Sequence, residues 1–128
     1  DVWQATVQRY LCDGGQATSA GDREILILLN TDFEMYAGSF AGSRTVTVDN
    51  WQWFALFNGS SSELSMNGTN ETSLNIGTKG CKGLTLFSRY NAGNSWRGTM
   101  QEFVQWEADR SSDRNAIETA INEYYATY

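Results

Sequence analysis

Histidine is absent from all 128 residues, and that one absence removes more chemistry than any other. Ser-His-Asp and Cys-His nucleophile systems need the imidazole, and it is the commonest zinc ligand. Proline is absent as well, which is unusual for a chain so rich in turn signals and has no physical account in the sequence. Lysine occurs only as Lys79 and Lys82, and the seven arginines are scattered. No basic run exists to neutralise phosphates, and the formal net charge is −6, so neither nucleic acid nor an acidic membrane is the expected partner. The acidity itself mainly favours solubility. The apolar run Ile25–Leu29 is five residues long, far short of the ~20 of a membrane span. The start of the chain, Asp1-Val-Trp3 onward, carries no basic region followed by an apolar one, so the opening is expected to be that of a mature protein, a trimmed chain or an excised domain.

Cysteine is scarce too. Cys12 and Cys81 are the whole complement, too few for a disulfide scaffold and with no CxxC spacing. A single bridge between them would close a long loop, worth about 4 kcal/mol in the unfolded chain. Two buried free thiols are the alternative, and the spacing leaves both open.

What is present is alternation. The length suits one domain, residues 1–128, able to bury a core without metal or dense disulfides. Val2 to Leu11 alternates with period two, Ile25–Leu29 is continuously apolar, and Phe33, Met35 and Ala37 oppose Glu34, Tyr36 and Gly38. Ala41-Gly-Ser43 reads as a turn before the β-branched Thr45–Val48. Trp51–Phe57 is apolar on both faces, as a covered central strand would be. Asn67-Gly68 marks a type I′ turn at the end of the short strand Glu63-Leu-Ser-Met66. Thr72–Ile76 and Leu84–Phe87 read as short strands, and Met100–Trp106 alternates Met100, Glu102, Val104 and Trp106 against Gln101, Phe103 and Gln105. The period then changes. Ile117, Ala120, Ile121, Tyr124, Tyr125 and Tyr128 share one face of a helix near residues 112–126, with Ser111 or Ser112 as N-cap and Asp113 in the first turn. Ile121 belongs to the packed face and Glu118 to the solvent face. About eight strands at 8–12-residue spacing, then one helix, predict an all-β antiparallel two-sheet sandwich or barrel with a C-terminal α-helix.

The order of these motifs resembles the concanavalin A-like, laminin-G-like jelly roll. The residues that carry the likeness are Tyr10-Leu-Cys-Asp-Gly-Gly15, the hairpin Ile25–Leu29 with Phe33–Gly38, Trp51 opening a central strand, Leu64-Ser-Met-Asn-Gly68, and a Gly-x-x-x-Glu closing strand at Gly98-Thr-Met-Gln-Glu102. An acidic-serine turn and a helix with a terminal Tyr-Tyr complete it. The likeness covers nearly the whole chain and is closest to versions on phage and viral virion proteins and on modular secreted proteins. Larger members carry additional N-terminal strands, so this domain would be minimal or completed by another segment. The resemblance implies a binding or structural domain, and it implies that Glu102 is a buried structural carboxylate.

The residues agree that catalysis is not expected. Glycosidases of this fold place carboxylates at alternate strand positions, whereas Glu102 and Glu107 are five apart and Glu107 with Asp109 falls where the strand ends. Asp13, Asp22, Asp32 and Asp49 sit at loops, where calcium could be ligated; Asp13 and Asp22 are the candidates, against simple turn or cap duty. No other cofactor is expected. Sugar binding wants aromatic platforms with planar polar groups, and Arg89, Tyr90, Asn91, Asn94, Trp96 and Arg97 supply both on one loop. Trp96 has core anchoring as its alternative role, and Tyr36 and Trp51 are weaker platforms. Asn58, Asn67 and Asn70 open glycosylation sequons, two of them accounted for by Asn-Gly hairpins. The expected function is therefore a virion surface protein, as capsid decoration, fibre or adhesin module with glycan binding. A carbohydrate-binding module of a secreted or cell-surface protein is the alternative. Expected partners are other virion or modular subunits, a polysaccharide, or copies of the chain itself, and the expected place is a virion surface or the extracellular space.

Overall fold

A computed structural model of the chain describes residues 8–16, 22–29, 32–45, 51–96 and 98–127. The expectations for Val2–Val7, Val46–Asp49, Arg97 and Tyr128 lie outside these residues. Two antiparallel sheets face each other. One has five strands in the order β4 (Phe40–Thr45), β3 (Asp32–Tyr36), β2 (Ile25–Leu29), β1 (Arg9–Asp13), β8 (Thr85–Leu86). The other has three, β5 (Trp53–Leu56), β6 (Ser62–Met66) and β7 (Thr69–Leu74). A 3-10 turn at Ser111–Asp113 leads into the single helix α1, Arg114–Tyr125. The helix expected near 112–126 is thus present, as is the two-sheet β architecture.

Period-two alternation does the sorting. On β2 and β3, Leu26, Leu28, Phe33 and Met35 point inward and meet Leu64 of the facing sheet in one buried cluster, with Trp51, Trp53, Ala55, Leu74 and Trp96 packed against it. Burying each large apolar side chain here contributes about 1.5–3 kcal/mol. Asn67 and Gly68 both take positive φ, 48° and 75°, as a type I′ hairpin turn requires. Ile76 is buried and ties the crossover to the other sheet, because its carbonyl accepts the Ala37 and Ser39 amides at 2.9 and 2.8 Å. Gly77 follows at φ +88°, where a Cβ would lie 2.5 Å from the Ala37 carbonyl oxygen.

Three expectations are corrected. Ala41-Gly-Ser43 is no turn. The chain reverses at Ala37–Ser39 and runs on as β4, with Gly42 at φ +96° accommodating the irregular register against β3. β5 is an edge strand, not a central one. Its inner residues Trp53 and Ala55 pack on the core, and its outer Phe54 is buried beside Ser65. Finally, Met100–Trp106 pairs with nothing among the described residues. It runs exposed past the free edge of β5, with Phe103, Val104 and Trp106 at 39%, 45% and 41% exposure. Glu102 is exposed with it.

The helix also turns differently. Glu118, expected to face solvent, is 3% exposed, while Tyr124 is 80% exposed. The Ser65 hydroxyl donates to Glu118 Oε1, and Arg114 Nη1 lies 3.2 Å from Oε2. This polar lock seats α1 on the outer face of the smaller sheet, and Ile117 and Ile121 are left only partly buried along the β5 cleft. Hydrophobic spacing could not see it, because the buried position is a carboxylate, satisfied by Arg114 one turn back and by Ser65 on the distant strand β6. The helix start differs as well: Asp113, not a serine, stands at the N-cap of α1 and makes no side-chain cap bond, while Asp109 Oδ1 accepts the Ser111 amide of the preceding 3-10 turn at 2.7 Å.

Glu118→Ala is therefore expected to destabilise the domain by about 3 kcal/mol, the lower end for breaking a buried ion pair, since Arg114 keeps some water. Ile121→Asp should cost less than that, and chemical denaturation of the two variants measures both. Chymotrypsin should cut native protein first after Phe103 and Trp106. Protection of both sites until global unfolding would mean that the segment is packed against β5.

Candidate aromatic and guanidinium face

The outer face of the five-stranded sheet carries the second buried cluster, Tyr10, Ile25 and Ile27, with Tyr36 packed against it. Tyr10 and Asp13 are three residues apart and would face opposite ways on a regular strand. A β-bulge at Leu11 shifts the register, so that Tyr10 pairs with Ile27 and Asp13 with Ile25, and both point to this outer side. Arg23, just before β2, reaches both.

Asp13 is fully buried. Its Oδ1 accepts the Gly15 amide at 2.8 Å, and its Oδ2 accepts the Tyr90 amide at 3.1 Å and Arg23 Nη1 at 3.3 Å. The carboxylate thus fixes the Arg23 guanidinium and the start of the 89–96 loop together. From there, contacts alternate between ring and cation. The Arg23 guanidinium carbon is 6.0 Å from the Tyr10 centroid, 5.9 Å from Tyr36 and 5.5 Å from Tyr90. Arg89 lies 5.5 Å from the Tyr90 centroid. At the other end Tyr36 meets Phe40 at 4.8 Å between centroids, and Phe40 is 44% exposed. Phe40, Tyr36, Arg23, Tyr90 and Arg89 form one continuous ladder, each step within cation–π or ring-contact range.

The loop that carries Arg89 is fastened along β1. The Tyr10 amide donates to the Asn94 carbonyl at 3.2 Å, Arg9 Nη1 to the Ser95 carbonyl at 3.1 Å, and the Arg89 amide to the Gly93 carbonyl at 2.8 Å. Ala92 and Asn94 hold positive φ, 60° and 53°, so the loop is tightly wound.

Against this geometry the six residues expected to form one sugar platform divide. Tyr90 and Arg89 lie on the outer face. Trp96 turns inward instead, 5.5 Å from Phe33 and 6.5 Å from Trp51 between centroids, and is a core anchor. Trp51, a weaker platform candidate, packs edge-on against Phe33 and Trp53 in the same core. Tyr36 is on the ladder. Asn91 Oδ1 accepts the Gly93 amide at 3.4 Å and shapes the loop, and Asn94 contributes its carbonyl to Tyr10. Tyr90 has guanidinium groups at its ring, so it serves as their seat more than as a sugar platform. Arg23 and Phe40 were not expected. No local pattern marks them, because the bulge and the 37–39 reversal that bring them together are tertiary features.

The side chains of the described calcium candidates have protein partners. Asp13 has three N–H donors directed at its oxygens, and Asp22 lies 3.3 Å from Lys79 Nζ. Asp32 accepts the Thr45 hydroxyl at 2.7 Å. Among the described residues no group of three or more Cys, Asp or Glu side chains is placed to hold a metal. Cys12 and Cys81 are both free thiols, but they are not the buried pair expected as the alternative to a bridge, since Cys81 is exposed. Burial pushes the Cys12 thiol up to about 11, so it stays protonated at neutral pH. Cys81 is exposed and directs its Sγ to the Gly83 carbonyl.

A cleft of about 890 Å³ runs along the β5 edge, lined by Trp53, Trp96, Phe103, Trp106 and Ile121 among others. It is the space that the unpaired 98–110 segment leaves beside β5. No described helix is long and apolar enough to cross a membrane. No protein-family model matches the chain, and no curated protein or solved structure matches it either.

Proposed function

We propose that this chain is a non-catalytic binding domain of the concanavalin A-like jelly-roll class, serving at a virion surface as a decoration, fibre or adhesin module. The observation that carries the binding reading is the ladder on the outer face. Phe40 and Tyr36 offer apolar ring surface at one end, Arg89 offers a guanidinium at the other, and a buried ion pair holds the middle rigid. A saccharide presents both matching features, apolar C–H faces and polar edges. The two-sheet architecture and the C-terminal helix support the jelly-roll class, and the order of sequence motifs supports the virion setting.

Affinity for one sugar unit is expected to be weak, since each ring contact contributes about 1 kcal/mol. Useful binding would then come from many copies on one particle. The test is a glycan array probed with the domain displayed multivalently. Phe40→Ala and Arg89→Ala should lose the hits at nearly unchanged melting temperature. Trp96→Ala should lower the melting temperature by several degrees through core loss. Hits that survive both outer-face substitutions would place binding elsewhere.

A further inference from the structure

The arginines of this domain are not equivalent. Arg23, Arg44, Arg110 and Arg114 each lie within ion-pair distance of a carboxylate, from Asp13, Glu71, Asp113 and Glu118 respectively. Arg9 and Arg89 have no carboxylate partner among the described residues. Arg9 pairs with Leu28 on the inner side of β1 and is taken up by the Ser95 carbonyl, so Arg89 is the one that stands on the outer face. In a chain with fifteen acidic residues against nine basic ones, an outer-face arginine with no carboxylate partner among the described residues runs against the composition. The Nε atoms of Arg89 and Arg23 are also buried without a hydrogen-bond partner. Asp13 on this sheet face is already paired with Arg23, and the other acidic residues there, Glu34 and Asp32, lie further along β3 from Tyr36, beyond the pair that Tyr36 makes with Ile25 beside Asp13.

We propose that the Arg89 end of the ladder selects saccharides bearing a carboxylate, of the uronic-acid type. The inference rests on the binding reading above and names the ligand class for that same face. A guanidinium presents parallel N–H donors that match a carboxylate in a planar, bidentate way. Tyr90 holds the Arg89 side chain from one side by cation–π contact. Arg23 cannot play this part, because Asp13 already neutralises it. Further units of the same oligomer would extend along the ladder toward Tyr36 and Phe40.

The experiment compares oligogalacturonate with the same oligomer after reduction of its carboxyl groups to neutral alcohols. Both are bound to the multivalently displayed domain at low and at physiological salt. The expected result is a preference of about tenfold or more for the carboxylated oligomer, the size of one charge-assisted contact. The preference should vanish in Arg89→Gln, fall partly in Arg89→Lys, and persist in Arg110→Gln, which removes the same charge at the start of the helix. Unchanged circular dichroism of each variant shows that the fold is retained, and Arg89→Lys carries the test if Arg89→Gln does not fold. Equal binding of both oligomers, with or without Arg89, would overturn the acid selectivity and leave the glycan reading standing. Equal loss in Arg89→Gln and Arg110→Gln would reduce the effect to net charge and overturn the site. Binding of neither oligomer, with hits on neutral glycans elsewhere, would overturn the inference alone. Absence of any glycan binding would overturn the reading beneath it as well.

Discussion

The Asp13 carboxylate is out of contact with water, and three donors from three parts of the chain converge on it. A buried charge left unpaired would be very costly, so Gly15, Arg23 and Tyr90 are held where they are by the need to satisfy it. The consequences spread outward. The bulge at Leu11 exists on the same face, the 89–96 loop is pinned at Tyr90, and Arg23 is oriented among Tyr10, Tyr36 and Tyr90. Without that anchor, Arg89 would have no fixed ring to rest on.

The smaller sheet uses the same device on its own outer face. Glu118, Arg114 and Ser65 form a second buried polar lock, which seats the helix over β6. Each sheet thus has an apolar inner face shared with the other and an outer face closed by one acid–arginine pair. Such pairs add little net stability compared with apolar packing, but removing one partner is strongly destabilising. Their contribution here is to fix which helix face and which loop conformation the chain adopts.

How much of this the sequence disclosed follows from the range of the interactions. Alternation along Phe33–Ala37, the apolar run Ile25–Leu29, the Asn67-Gly68 turn and the helix before Tyr125 are set by neighbours within a few residues, and all were legible. The β5 edge position and the Ala37–Ser39 reversal are set by partners tens of residues away, and so is the burial of Glu118, whose local partner Arg114 would serve equally well on an exposed face. Period and propensity are blind to those. Met100–Trp106 shows the other failure: an alternating pattern reports strand competence, and pairing also needs an edge that accepts it. For the site, residue type pointed to the correct loop but not to the directions of its side chains. Trp96 and Tyr90 lie on one short loop and serve opposite faces of the sheet, while Arg23 and Phe40 carry no local mark at all.

Amide hydrogen exchange on Asp13→Asn tests the central role of this carboxylate most directly. An asparagine can keep an oxygen toward Gly15 only by turning its NH2 toward Arg23 and the Tyr90 amide, and the reverse flip moves the clash to Gly15. The account predicts faster exchange at Gly15, Tyr90 or both, increased mobility of the 89–96 loop, and a loss of about 3 kcal/mol or more in stability. Native-like protection at Gly15 and Tyr90 with unchanged stability would contradict it.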